Sequence, residues 1–320
     1  MEKEKVLIIK TGYSEFLDKE EDSRKVSLGD VLRTTPLLHL YKNKERYHVT
    51  WVTDEYALPL LKGKNFIDRL LSYDFTTSEQ LKEERFDSVI NLEKVPGICA
   101  LTNNINAWRK FGFRFDSEKG KAEAYDKAFE VLAVSSDPKI KKENQKTAQE
   151  LLFEMIGKKW NQEEYVLGYT TKTKEKYDIC LNTIIGQKWP NKAWPNENWD
   201  KLEKVLMNEG LTVSRQDKQS EEILKNLNNY MDWINSHRII VTNDSLGMHL
   251  GIAFGKKILG LFGPTPHQET YFYGRGKAIL PEPIPECLPC FKGTCEKGKN
   301  CMEDISVERV YKEIKNFEEK

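Results

Sequence analysis

The stretch Thr242-Asn243-Asp244-Ser245-Leu246-Gly247-Met248-His249 puts a carboxylate and a hydroxyl between an apolar run, Arg238 to Thr242, and a small-residue run, Leu246 to Phe254. Read as a strand that gives way to a helix, it turns free backbone N–H groups and the positive end of a helix dipole toward a crevice, which is an anion site. Ser245 adds a hydroxyl donor, and glycines at 247 and 251 would let a diphosphate or a neighbouring strand approach closely. His249, one helical turn after Ser245, either reaches a phosphate or holds the turn as a structural residue. A second turn, Phe262-Gly263-Pro264-Thr265-Pro266, ends the next apolar run. Lying beside the first, it would complete a nucleotide pocket.

Two further stretches carry chemistry. Lys188-Trp189-Pro190-Asn191-Lys192-Ala193-Trp194-Pro195 holds two Trp-Pro pairs and two lysines. Prolines stiffen such a loop, and a lysine held at a strand's carboxyl end suits a phosphate because its ammonium is a compact point charge. The bland alternative is a pair of exposed lysines with tryptophans that pack the loop. Ser27-Leu28-Gly29-Asp30 places a carboxylate where a first strand leads into a helix, at the edge where open α/β sheets bind ligands. Asp30 is either a general base or a carboxylate that favours the helix N-terminus. The connection from Thr11 to Ser27 exceeds the usual two to six residues of a βα loop. Its Tyr13, Phe16 and Leu17, beside Asp18, Lys19, Glu20, Glu21 and Asp22, contact an acceptor or form a charged surface loop.

Four cysteines, Cys287, Cys290, Cys295 and Cys301, fall within fifteen residues. Four thiolates this close are enough for one tetrahedral zinc, with iron as the other candidate, and the site would be structural because no coordination position stays open. The alternative is a cysteine-rich loop without metal. Crowding of this kind in a reducing compartment argues against structural disulfides.

These residues need a frame, and the apolar pattern supplies it. Val6 to Ile9, Val49 to Val52 and Ser88 to Asn91 read as strands, with helices from Gly29 through Leu40, over 55–61 and over 78–84. Strand-helix alternation predicts a parallel sheet covered on both faces. The region 110–174 is hard to read apart from an amphipathic helix over 144–156. The rhythm then resumes with strands near 177–182, 211–213, 238–242 and 257–262 and helices over 197–207, 220–235 and 246–254. A last helix, Ile305 to Phe317, is expected to pack back across the body of the protein.

A chain of 320 residues exceeds what one core usually serves, so the expectation is two Rossmann-like α/β domains, 1–165 and 166–320. Fifty basic residues balance fifty acidic ones, which gives no overall field to draw in nucleic acid. No run approaches the roughly 20 apolar residues that cross a bilayer. The expected location is the cytoplasm, with peripheral contact at the inner leaflet of the cytoplasmic membrane.

Leu28-Gly29-Asp30-Val31 with Pro36, then Lys192-Ala193-Trp194-Pro195, Asn243-Asp244-Ser245 with Met248-His249, and Phe262-Gly263-Pro264-Thr265 stand in the order of glycosyltransferase family 9, the ADP-heptose:lipopolysaccharide heptosyltransferases, which this chain resembles. The resemblance implies a GT-B fold, two domains facing a cleft, and inverting, metal-independent transfer of a heptose or related sugar from an ADP-sugar to a glycan or lipid-linked acceptor. It implies Asp30 as base and Lys192 as the cation that neutralises the leaving diphosphate. Asp244, Ser245, Gly247, Met248, His249, Gly263, Pro264 and Thr265 would surround the donor. This chain departs from the family at Leu246, where the family usually has glycine. The expanded first loop suggests an unusual acceptor. A catalytically inactive nucleotide-sugar-binding protein of the same fold and a nucleotide-sugar epimerase are the alternatives.

Overall fold

The structure, a computed structural model, describes residues 2–13, 26–63, 66–186, 189–219 and 226–318. Most of the expanded loop, Lys188 and the start of the helix expected from Ser220 lie outside the described residues. The chain forms two compact units, Met1–Thr170 and Thr171–Lys320.

The first unit runs β1 (Glu4–Ile9), α1 (Leu28–Leu32), β2 (Tyr47–Thr53), α2 (Leu58–Leu61), β3 (Arg69–Ser72), α3 (Phe75–Glu83), β4 (Arg85–Asn91) and α4 (Pro96–Asn104). It continues with β5 (Asn106–Asp116), β6 (Lys121–Ala124), α5 (Phe129–Ser136), α6 (Pro138–Glu143) and α7 (Ala148–Glu154). Its sheet has the order β3-β2-β1-β4-β5-β6, and all neighbours are parallel except β5 and β6. Helices on both faces of a parallel ladder explain why Val6, Leu7, Ile8 and Ile9 are all buried without alternation. The order turns back on itself between β1 and β4, and ligands of such sheets bind beyond the carboxyl ends at that point.

One continuous helix through Leu40 is not what forms. After α1 ends at Leu32, a 3-10 helix spans Thr35–Tyr41. Pro36 explains the break, since it has no N–H to give and its ring would press on the carbonyl four residues earlier, at Leu32. Val31, Leu32, Leu37 and Leu38 still reach the core. The helix expected over 144–156 forms as α7, started by a capping box in which Thr147 and Glu150 bond each other's backbone N–H.

The second unit runs β7 (Tyr177–Asn182), α8 (Asn196–Asn208), β8 (Val213–Arg215), α9 (Leu227–Asn235), β9 (His237–Asn243), α10 (Leu246–Ala253), β10 (Lys257–Leu261), β11 (Gly276–Ile279) and α11 (Val307–Glu318). Its five strands are parallel in the order β11-β10-β9-β7-β8, so the reversal lies between β7 and β9. One core joins Ile179, Leu181, Val241, Leu259 and Leu261 of the sheet to Trp199, Leu202 and Leu206 of α8 and to Val307, Val310 and Ile314 of α11. Each such side chain contributes about 1.5–3 kcal/mol by leaving water. The terminal helix thus rests on the sheet and α8 of its own unit. Among the described residues no helix is long and apolar enough to cross a membrane.

Candidate active site

The reversal point of the second sheet is built from two asparagines that end buried strands. Asn182, last in β7, donates from Nδ2 to Thr242 Oγ1 at 2.8 Å and to Ser245 Oγ at 2.9 Å. Its Oδ1 accepts the Tyr230 hydroxyl at 2.6 Å. Asn243, last in β9 and fully buried, donates to the Thr183 carbonyl at 3.0 Å and accepts the Trp194 N–H at 3.1 Å. The Trp194 indole donates in turn to the Ile305 carbonyl at 2.9 Å, and its ring meets Trp199 edge-on. The Trp-Pro loop is therefore fixed to the end of β9 and to the core by specific bonds, beyond the stiffness of its prolines.

This anchoring brings three of the sequence stretches together at Asp244. Lys192 Nζ lies 2.7 Å from Asp244 Oδ2, and Thr265 Oγ1 from the second turn donates to the same oxygen at 2.7 Å. Burial works to raise the Asp244 pKa, but the Lys192 charge, with its hydrogen bond, the His249 ring and the Thr265 hydroxyl, outweighs it and holds the carboxyl below its usual value. Asp244 is a carboxylate at neutral pH. Lys192 also lies 5.6 Å over the Trp189 ring, an ordinary cation–π distance.

The remaining residues of the helix start divide by direction. Ser245 is the N-cap of α10, yet its side chain makes no capping bond and is engaged with Asn182. The Met248 N–H turns to the Ser245 carbonyl at 3.2 Å, and among the described residues no side chain caps the first turn. Gly247 does not open space for a diphosphate on its side-chain face. A Cβ there would stand 2.5 Å from Asn182 Nδ2 and 2.7 Å from the Tyr230 hydroxyl, so the glycine is required by close packing inside the unit. Gly251 likewise faces Ile258 and Ile240. The Met248 side chain is fully buried in the core, His249 is nearly so, and Leu246 is half-buried.

The cysteine-rich segment packs against the same two turns. Asn191 donates its N–H to the Gly293 carbonyl at 3.0 Å, and Phe291 donates its own to the Pro264 carbonyl at 2.9 Å. The four cysteines of the expected zinc or iron site lie near one another without forming a ligand group. Among the described residues, no group of three or more histidine, cysteine or acidic side chains is arranged to hold a metal ion. The thiols have other surroundings: Cys295 donates to the Lys299 carbonyl at 3.2 Å, while Cys301 is buried beneath Gly263. Burial first, then the neighbouring Cys290, Cys287 and Cys295, pushes the Cys301 thiol up to about 11. Cys287 and Cys290 are half-buried and unbridged.

In the first unit, Asp30 lies in the first turn of α1, with Ser27 rather than Asp30 as the N-cap. Its Oδ1 is 3.1 Å from Arg33 Nε and its side chain is 41% exposed, so it is open to solvent. Beyond the carboxyl ends of β1 and β4 lies a buried carboxylate, Glu93. It accepts the Gly12 N–H at 2.6 Å and the Thr11 hydroxyl at 3.1 Å, and Lys10 Nζ is 3.2 Å away. Gly12 in turn accepts the Ser27 N–H at 2.8 Å, which ties the two ends of the expanded loop together just before α1.

The family model described as glycosyltransferase family 9 (heptosyltransferase) matches residues 75–300. The chain belongs to glycosyltransferase family 9. A curated member, lipooligosaccharide heptosyltransferase 2 of Campylobacter jejuni subsp. jejuni serotype O:2, is 35% identical over 80 residues, which are 25% of this chain and 25% of that protein. The match spans a quarter of the curated relative's length. Two solved structures cover nearly the whole chain. The family 9 glycosyl transferase of Veillonella parvula DSM 2008 has 18% identity and a TM-score of 0.68, over 98% of this chain and 97% of its own. E. coli ADP-heptose lps heptosyltransferase II has 17% identity and a TM-score of 0.68, over 98% of both chains. The fold is thus the mixed α/β, GT-B-like fold of family 9 heptosyltransferases.

Several residues described at the two candidate sites carry no motif. Asn182, Tyr230 and Glu93 were not marked by the pattern, and Asn243 was visible only as part of a stretch. The signal that finds the asparagines is a polar residue closing a buried parallel strand, where burial without a hydrogen-bonding task is costly. Asp30 lies upstream of the residues that the family model matches.

Proposed function

We propose that this family 9 member transfers a heptose or related sugar from an ADP-sugar to a hydroxyl of a lipopolysaccharide-type or other glycan acceptor, with inversion and without a metal ion. The observation that carries this reading is the convergence of Lys192, Asp244 and Thr265 at the reversal point of the second sheet. Without a ligand, Asp244 balances the Lys192 charge. A donor diphosphate takes over that role, and the uncapped start of α10 and the turn at Gly263, Pro264 and Thr265 receive further oxygens.

In the transfer step, the acceptor oxygen bonds to the anomeric carbon while its proton passes to the Asp30 carboxylate. The bond from the anomeric carbon to the diphosphate oxygen breaks, and the electron pair leaves with the nucleoside diphosphate. Lys192 stabilises the charge that develops there. Attack opposite the leaving group inverts the anomeric centre. Heptose as the sugar and ADP as the carrier are supported by the names of the Campylobacter relative and the E. coli structural neighbour. A lipid-linked acceptor would place the protein at the inner leaflet of the cytoplasmic membrane.

A thermal-shift screen of nucleotides and nucleotide-sugars tests the donor assignment. A ligand at 100 times its Kd adds about 2.7 kcal/mol of stability. ADP and ADP-heptose are expected to raise Tm clearly above the effect of UDP, GDP or their sugars. A UDP-sugar that stabilises the protein while ADP does not would replace the donor.

A further inference from the structure

Asn300 touches one side of the proposed donor site directly and the other through its neighbours Cys301 and Met302. Its Nδ2 donates to the backbone carbonyl of Asn191, the residue next to Lys192, at 3.3 Å. Its Oδ1 accepts the Met302 N–H at 3.0 Å, and its own N–H donates to Glu303 at 3.2 Å, which starts the one-turn helix Cys301–Asp304. That turn sets the fully buried Met302 and the Cys301 thiol under Gly263. A Cβ at 263 would stand 2.7 Å from the Met302 sulfur and 2.9 Å from the Cys301 sulfur, so the turn carrying Thr265 rests directly on them.

We infer that Asn300 is a positioning residue that couples the Lys192 loop to the Gly263–Thr265 turn. It holds the two groups that meet at Asp244, Lys192 Nζ and Thr265 Oγ1, at one spacing. This inference rests on the reading of that site as the donor diphosphate site. The coupling matters because a misplacement of about 1 Å costs on the order of a hundredfold in rate when a charged group must meet a developing charge. Asn300 need not touch the substrate. It acts through the backbone of Asn191 and through the packing beneath Gly263.

The two jobs of Asn300 separate by substitution, because Asp and Ser are N-caps as good as Asn. Neither replaces the donor to the Asn191 carbonyl: an aspartate side chain would face it with an oxygen, and a serine is too short. The experiment measures Tm, kcat and KM, and the binding of ADP and of adenosine by calorimetry, for the full chain with Asn300→Asp, Asn300→Ser and, as reference, Lys192→Ala. The expected result for both Asn300 variants is Tm close to wild type, ADP affinity about tenfold lower, adenosine affinity unchanged and kcat reduced, with Lys192→Ala showing the same pattern more strongly. ADP affinity at the wild-type level in Asn300→Asp and Asn300→Ser, with Lys192→Ala impaired, overturns the inference and leaves the site assignment standing. Equal losses for ADP and adenosine mark a merely structural role and overturn it as well. Wild-type ADP binding in Lys192→Ala rejects the site reading itself, and the inference with it.

Discussion

Lys192 Nζ and Asp244 Oδ2 stand 2.7 Å apart at the carboxyl edge of the second sheet, both side chains mostly but not fully covered. A pair in such a place contributes little net stability, because the loss of water around both charges offsets most of their attraction. Its value is in placing a cation. In the proposed reading the ammonium is held by a carboxylate that a donor diphosphate supplants, and Lys192 stays in position without it. Replacement by Ala is expected to lower kcat about 10²–10³-fold, the range for removing one group that stabilises a leaving charge. ADP release under saturating donor checks this.

The packing role of Gly247 makes a stability prediction. Gly247→Ala drives a methyl group into Asn182 and the Tyr230 hydroxyl and should cost about 1–3 kcal/mol by urea denaturation. An unchanged urea midpoint would show that Asn182 and Tyr230 yield freely.

Asn243→Ala leaves the Trp194 N–H and the Thr183 carbonyl without their buried partner. The expected loss is roughly 1–3 kcal/mol for each unsatisfied group, with kcat falling as the Lys192 loop loosens. Denaturant unfolding and turnover measured on one preparation separate the two effects.

His237, fully buried at the start of β9, supplies a pH dependence. Its Nδ1–H donates to the Trp233 carbonyl at 2.7 Å, while Nε2 is buried without a hydrogen-bond partner. Burial, aided by the Lys256 charge and opposed by the Trp233 and Ile234 backbone, lowers its pKa to about 4. The unfolded chain binds this proton near pH 6.5 and the folded one only near 4, so between those values the unfolded state holds more protons. Stability contributed by the neutral ring is therefore fully present above about pH 6.5 and is lost as pH falls toward 4, by on the order of 3 kcal/mol in total. His237→Phe should flatten that window in urea midpoints taken from pH 4 to 7.

Much of the fold was legible because parallel strands buried on both faces must be continuously apolar. β1, β7, β9 and β10 stood out for that reason. β8 did not: its Ser214 and Arg215 are buried polar residues, satisfied by the Trp233 indole and by Asp217, and the strand forms two residues later than expected. The β5–β6 edge carries polar residues on its open side and gave no clean period. At the site, Lys192, Asp244 and Thr265 were legible because strand ends facing a crevice repay few residue types. Gly247 reads in sequence as admitting a diphosphate or a neighbouring strand, and its side-chain face meets Asn182 and Tyr230 while the Met248 side chain is buried, because a helix start shows its residue types in sequence but not which way each one points. The cysteine spacing was compatible with a metal, and Cys287, Cys290 and Cys295 do lie near Cys301, but the described residues form no group arranged to hold an ion.

The central claim is glycosyl transfer with Asp30 as base. The most direct test follows ADP release from ADP-heptose with a lipopolysaccharide-core glycan acceptor, for wild type and Asp30→Asn, alongside calorimetric ADP binding. The account predicts acceptor-dependent release by wild type, a loss of about 10³-fold in Asp30→Asn and equal ADP affinity in both. Acceptor-dependent turnover by Asp30→Asn at the wild-type rate would contradict it.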